Sequence, residues 1–283
     1  MGIEFNHLYV TLDSETIEAI ANSAFICQDF CTVSRDTVET DQERWSGVYL
    51  RGKYAYLELF APGGAEGFRE GFSGLAFSTQ QAGELGLVEK KLESLTAQTT
   101  AQTTTQTTAQ TTVAQEILSS FQVRQVENQK VPWFYYLAIK KLERIAFSPW
   151  LMEFHQDYLD YKKIKPTNLG WFDRSAYLKN LDTSETALFK DVSEVHLELT
   201  SSEHKELALL LEAIGYQGST PGKTITYRSP GFTVHVAEVV DPMYRIRKVV
   251  CTLMDQPHQE TTLTFGQNAT LTVGKDLATW EFG

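Results

Sequence analysis

The sequence predicts an α+β protein of three repeated β-α-β-β-β units, their mixed sheets paired, with an extra C-terminal β region. Three observations predict it. Apolar alternation at period two starts afresh at residues 5–11, 71–78 and 194–200, and each time helix-spaced apolar residues follow. Val195-His196-Leu197-Glu198-Leu199-Thr200 repeats the His, Leu and Thr of Asn6-His7-Leu8-Tyr9-Val10-Thr11 at matching places. Two later strands carry a glutamate four residues ahead of a proline, Glu58 before Pro62 and Glu238 before Pro242.

The first unit, residues 1–62, opens with a strand over 5–12. Asp13 or Ser14 can cap the helix that follows, and Ile17, Ile20, Ala21 and Ala24 lie on one side of it. Strands are expected at 32–35, 45–50 and 54–62, the last two joined by a turn at Gly52-Lys53. The second unit, 72–157, has a strand over 71–78, a helix over 84–95 and strands over 121–126, 131–139 and 150–155. Between its helix and its second strand, residues 96–112 repeat Thr-Ala-Gln-Thr, a low-complexity insert with no core-forming side chains, read as a solvent-exposed extension. Together these units make a 1–160 region. A connector, 161–192, leads to the third unit within 193–283, with a strand at 194–200, a helix over 203–214 closed by Gly215, and strands at 224–227 and 232–240. The tail adds strands at 245–254, 261–265, 269–273 and 278–282. One such unit is too small and one-sided to bury its own sheet, which is why the units are expected to pair.

Composition narrows the function classes. With 42% hydrophobic and 12% aromatic residues in 283, the chain can build a full core. A net charge of −11 argues against a nucleic-acid partner, whose phosphates need clustered Lys and Arg. Cys27, Cys31 and Cys251 form no disulfide framework and read as free thiols in a reducing compartment. No apolar run is long enough to cross a membrane, and the N-terminus enters a strand directly, so the expected location is cytoplasmic. Asn268-Ala269-Thr270 fits a glycosylation pattern but is read as a turn between two strands.

Glu58 is the residue that most needs explaining. Alternation places Tyr54, Tyr56, Glu58 and Phe60 on one face, so the carboxylate lies among aromatic rings, where its charge is costly unless paired, hydrogen-bonded or bound to metal. Its natural partner is His7, which the same alternation puts on a face with Phe5 and Tyr9.

A His in the first strand and a Glu in the fourth, in repeated β-α-β-β-β units, resemble the vicinal oxygen chelate superfamily of glyoxalases and extradiol dioxygenases. Tyr56-Leu57-Glu58-Leu59 looks like the fourth-strand metal motif of that superfamily, and Trp150 to His155 resembles an uncharacterised glyoxalase-like branch of it. The resemblance implies that two units form a glyoxalase-like cleft holding a divalent metal, Fe, Mn, Ni or Zn, which acts on a small oxygen-rich molecule by Lewis-acid catalysis of lyase, isomerase or dioxygenase type. Carried over residue by residue, it offers His7, Glu58 and Glu153 as ligands, with His155 filling the place left by Gly74, where a second first-strand His or Gln would stand. Glu58 and Glu153 would be the catalytic carboxylates, one of them a base once displaced from the metal. His196 and Glu238 repeat the motif as a second metal site, and His235 is expected to pack or to lie on the surface. The alternatives are a non-catalytic small-molecule-binding module of the same fold, and a structural protein whose third unit and tail make a homodimer interface.

Overall fold

The computed structural model describes residues 2–106, 116–127, 129–139, 146–165, 172–181, 183–184, 186–220, 222–257 and 259–283, with the backbone alone for 98–106. The first half contains β1 (Ile3–Thr11), α1 (Ser14–Ala21), β2 (Thr32–Glu39), β3 (Arg44–Arg51), β4 (Tyr56–Phe60), β5 (Ser73–Thr79), α2 (Glu84–Gln106), β6 (Ile117–Val126), β7 (Gln129–Ile139) and β8 (Phe147–Phe154). The second half contains α3 (Gln156–Tyr161), α4 (Arg174–Lys179), β9 (Phe189–Leu199), α5 (Ser201–Ala213), β10 (Gln217–Ser219), β11 (Ile225–Ser229), β12 (Phe232–Glu238), β13 (Ile246–Leu253), β14 (Thr261–Phe265), β15 (Ala269–Val273) and β16 (Leu277–Phe282).

These strands form two mixed eight-stranded sheets, in the orders β2-β3-β4-β1-β5-β8-β7-β6 and β10-β11-β12-β9-β13-β16-β15-β14. The fold is α+β, as expected. In three of the four half-sheets the first strand lies parallel to the fourth, β1 to β4, β5 to β8 and β9 to β12. Joining the parallel first two strands of such a unit takes a long crossover, which α1, α2 and α5 supply. The C-terminal half-sheet differs for a physical reason. Only residues 254–260 separate β13 from β14, too few for a crossover, so the chain reverses at each turn and β16 returns antiparallel to β13. The tail is thus a fourth unit without its helix, and α1 of the first unit packs against β14 in that place. Asn268 anchors this contact from the turn after β14 by donating to Asp13 Oδ2 at 2.8 Å and Glu70 Oε1 at 3.3 Å.

Local signals set the helices. Thr200 and Glu203 form a reciprocal capping box at the start of α5, and the Asp13 side chain accepts from Thr16 N at the start of α1. The backbone of α2 stays helical through Gln106, so the Thr-Ala-Gln-Thr insert begins as a continuation of that helix; its residues 107–112 lie outside the described residues.

One apolar core serves both sheets. Leu8 and Val10 of β1 meet Val195 and Leu197 of β9 in it, and Phe5 stacks on Phe232 at 4.3 Å between ring centres. Arg174 of α4 reinforces this junction: it donates to Glu4 at 2.8 Å, to the carbonyls of Phe5 and Tyr54, and to Asp191 at 3.2 Å, linking β1 to β9. Gly71 has φ of +82° and comes so close to the Met243 carbonyl that a Cβ there would overlap it, so a side chain would separate the halves. Phe232→Ala is expected to cost about 3–5 kcal/mol, the usual range for emptying a buried Phe site. Chemical denaturation checks this; a loss below about 1 kcal/mol would mean that the stack does not hold the sheets together.

Candidate functional site

A bulge in β1 decides which side chains reach the site. Phe5 pairs with Phe77 and His7 with Ala76, so Asn6 is an extra residue opposite β5. Because of it, Phe5 points into the shared core while His7 and Tyr9 point out of the other face, correcting the expectation that all three share one. Tyr56, Glu58 and Phe60 of β4 point the same way as His7, and so do Ser148, Trp150 and Met152 of β8. The curled first sheet closes around a cavity of about 980 Å³.

Parallel pairing of β1 with β4 sets His7 opposite Tyr56 and Tyr9 opposite Glu58. The His7 ring stacks on Tyr56 at 4.4 Å and meets the edge of Trp150 at 5.3 Å. Its Nδ1 is 2.8 Å from Asn6 Oδ1, while the Asn6 amide donates to Ser78 Oγ at 3.0 Å. In that arrangement Nδ1 carries the proton and Nε2 keeps its lone pair. Burial lowers the His7 pKa to about 3, so the ring is neutral at physiological pH. Glu58 accepts no hydrogen bond from the described residues, and burial raises its pKa to about 8 against the opposing pull of Arg51 and Arg124. It keeps partial contact with the cleft, so it remains able to exchange its proton.

Glu58 and His7 both line the cavity, two positions apart across the β1–β4 pairing. The second unit adds no donor to them. With Leu75 matched to Leu8, Gly74 takes the His7 position, and Trp150, which pairs with Ala76, takes the Glu58 position. Gly74 is there for space: a Cβ would stand 2.3 Å from the Ser148 carbonyl, 2.6 Å from the Tyr9 ring and 2.8 Å from the Trp150 ring. The donor set expected of a metal cleft is therefore incomplete, with a neutral carboxyl, a glycine and an indole in three of its four places. The opposite wall offers hydrogen bonds instead. Among the described residues Trp133 Nε1 is buried without a hydrogen-bond partner and the Tyr49 hydroxyl finds no acceptor, while Arg124 lies 4.9 Å over the Trp133 ring and donates to Tyr158 at 3.0 Å.

The other expected ligands lie elsewhere. Glu153 is on the opposite face of β8 from Trp150 and holds the start of α2, accepting from Gly83 N at 2.8 Å, Leu85 N at 2.9 Å and Thr79 Oγ1 at 3.3 Å. It is a helix cap, not a cleft carboxylate. His155 lies beyond the end of β8 and caps α3 by accepting from Asp157 N at 3.2 Å. In the second sheet Ala237 is the residue paired with Glu198, in the place that Glu58 takes opposite Tyr9. Glu238 is thus one residue out of register, which turns it to the helix side, where it meets His204 Nδ1 at 2.7 Å. His196 is joined instead by Glu194 and by His235, a residue expected only to pack or to lie on the surface. Ligand atoms of these three lie within 4.8 Å of one another, and among the described residues no other group of three or more His, Cys, Asp or Glu does so. The sequence signal for them is the i, i+2 spacing of Glu194 and His196 on one strand face. Cys27, Cys31 and Cys251 are free thiols, and among the described residues no helix is long and apolar enough to cross a membrane.

The model of the Family of unknown function (DUF5829) matches residues 5–282. Among solved structures, a "putative dioxygenase from Bacillus subtilis subsp. subtilis str. 168" is 10% identical, with 98% of this chain and 83% of that chain covered and a TM-score of 0.26, an overlap too loose to speak for fold or activity. No curated protein matches the chain.

The placements of Glu153 and Glu58 have measurable consequences. Glu153→Ala leaves α2 uncapped and should cost about 1–2 kcal/mol in denaturant unfolding, without altering ligand binding in the cleft. Glu58 is held neutral in the fold up to about 8 against an ordinary value of 4.5, so the stability it contributes is full below about 4.5 and is lost as pH rises through 8. Melting temperatures of the wild type should therefore fall, relative to those of Glu58→Gln, between about pH 5 and 8. Parallel curves would show that the carboxyl ionises freely.

Proposed function

Since the chain belongs to that family, whose description assigns no activity, we propose its function from the cleft: it binds a small, flat, oxygen-bearing molecule, with Glu58 as the proton donor to one of its oxygens. The observation that carries this is a carboxyl in the wall of an aromatic cavity of about 980 Å³ that accepts no hydrogen bond from the described residues, and burial there raises its pKa to about 8. Tyr9, Tyr56 and Trp150 line the cavity and give it aromatic walls suited to a planar ligand. Trp133 Nε1 and the Tyr49 hydroxyl can donate to a second ligand oxygen, and Arg51 and Arg124 favour negative charge developing on it.

As a general acid Glu58 would pass its proton to a carbonyl or leaving-group oxygen and be left as a carboxylate, which those two arginines stabilise. His7, neutral and with its proton on Nδ1, can accept a hydrogen bond from the same ligand at Nε2. Metal-assisted chemistry of the glyoxalase type does not fit this cleft, because Gly74 and Trp150 stand where its second pair of ligands would be.

Three of the five tryptophans, Trp45, Trp133 and Trp150, line the cleft, so their fluorescence reports its occupancy. Titration with a panel of phenols, aryl ketones and aryl carboxylates should find quenching ligands. Affinity for an uncharged carbonyl ligand should fall about tenfold between about pH 7 and 9 in the wild type, as Glu58 loses its proton. Glu58→Gln keeps a donor and should bind independently of pH, whereas Glu58→Ala should bind weakly throughout. A panel that quenches nothing, or a pH dependence that survives in Glu58→Gln, would contradict the proposal.

A further inference from the structure

The second sheet carries a chemical site of its own. We propose that Glu194, His196 and His235 form a binding site for a borderline divalent transition metal such as Zn(II), Co(II) or Ni(II), separate from the cleft of the first sheet.

The site follows from strand geometry. Glu194 and His196 are two apart in β9 and so share a face, the one opposite Val195 and Leu197 of the core. Parallel pairing with β12 sets His235 directly beside His196, and the two rings stack at 4.4 Å. The first sheet has the same arrangement with His7 and Tyr56, again at 4.4 Å. Where the first sheet has a phenol the second has an imidazole, so a stacked aromatic pair becomes a pair of nitrogen donors.

Distances fit one small ion. Glu194 Oε2 lies 3.3 Å from His235 Nε2 and 3.6 Å from His196 Nε2. In a tetrahedral site with ligand bonds of about 2.0–2.1 Å, adjacent donors stand about 3.4 Å apart. The remaining edge, between the imidazoles, is within 4.8 Å and closes by small ring rotations. Two further features suit a metal better than a simple ion-paired cluster. His196 Nε2 is buried and, among the described residues, makes no hydrogen bond within 3.5 Å, the Glu194 carboxylate standing 3.6 Å away. His235 Nδ1 sits 3.2 Å from the hydroxyl of buried Thr226, a contact that lets Nδ1 hold the proton and leaves Nε2 as the donor, the usual outer support of a metal-bound His. Two imidazoles and one carboxylate favour Zn(II), Co(II) or Ni(II) over Mg(II) or Ca(II), which take oxygen donors.

One neighbour opposes the ion. Lys248 of β13 pairs with His196 on its other side, and its ammonium repels a cation. That repulsion supplies a test that a merely structural cluster would not pass. Intact protein stripped with a chelator and dialysed against Zn(II) should retain one equivalent per chain by elemental analysis, and Co(II) should give the visible absorption of a four-coordinate nitrogen and oxygen site. His196→Ala and His235→Ala should each weaken Zn(II) binding by about tenfold or more in calorimetry, with circular dichroism unchanged because both residues lie on the half-exposed face. Lys248→Ala should tighten it severalfold. His155→Ala and Glu58→Ala should leave it unaltered, which separates this site from stray histidine binding and from the cleft. No stoichiometric uptake by the wild type, or uptake that persists in a folded His196→Ala/His235→Ala protein, would overturn the proposal.

Discussion

The Asn6 bulge in β1 is the constraint on which the arrangement of this molecule rests. An unbroken strand would send Phe5 and His7 to the same side of the sheet. With one extra residue between them, Phe5 enters the core shared by both sheets and His7 enters the cleft. The bulge is held in place by its own side chain, since Asn6 reaches Ser78 on the neighbouring strand and the ring of His7. A single local irregularity therefore ties the junction of the two halves to the geometry of the cavity. Arg174 acts beside it, joining Glu4 and Phe5 to Asp191 of the other sheet through a mostly buried guanidinium.

The two sheets share a plan and differ in chemistry. In both, the first and fourth strands of the leading unit run parallel and present a histidine and a ring neighbour in register. The first sheet surrounds its pair with tryptophan and tyrosine, and burial there raises the Glu58 pKa to about 8. The second leaves its pair half-exposed beside Glu194 and Lys248, with His235 held between Thr226 and the Glu194 carboxylate. Loss of the helix from the fourth unit reinforces this divergence, because reversing β16 removes the symmetry that would have repeated the first half.

Much of the fold is legible in the sequence, because alternation, caps and turn residues act locally. The strand starts read at 5, 71 and 194 fall within a few residues of those in the structure, and the Thr200-Glu203 cap lies where the third helix is expected to begin. His7 and Glu58 read as facing one site, and both line the cavity. What fails depends on register. Asn6 gives no glycine or proline signal of a bulge, so alternation alone puts Phe5 on the wrong face. Aligning Pro62 with Pro242 moves the glutamate of the third unit by one residue, and in a strand one residue means the opposite side. Glu153 looks like a buried ligand because the free N–H groups it satisfies, those of Gly83 and Leu85, lie about seventy residues away in sequence. His235 carries no signal by itself because its partners come from another strand.

The function proposed for the cleft turns on the protonation of Glu58, around which no full set of metal ligands stands among the described residues. Carbon-detected NMR of the side-chain carboxyls, with Glu58 assigned by its loss in Glu58→Gln, measures this directly. A Glu58 carboxyl carbon that titrates near pH 8 is the predicted result. A midpoint near the ordinary glutamate value of about 4.3 would contradict it, since the cleft would then hold a carboxylate at neutral pH and could not donate a proton to a bound ligand.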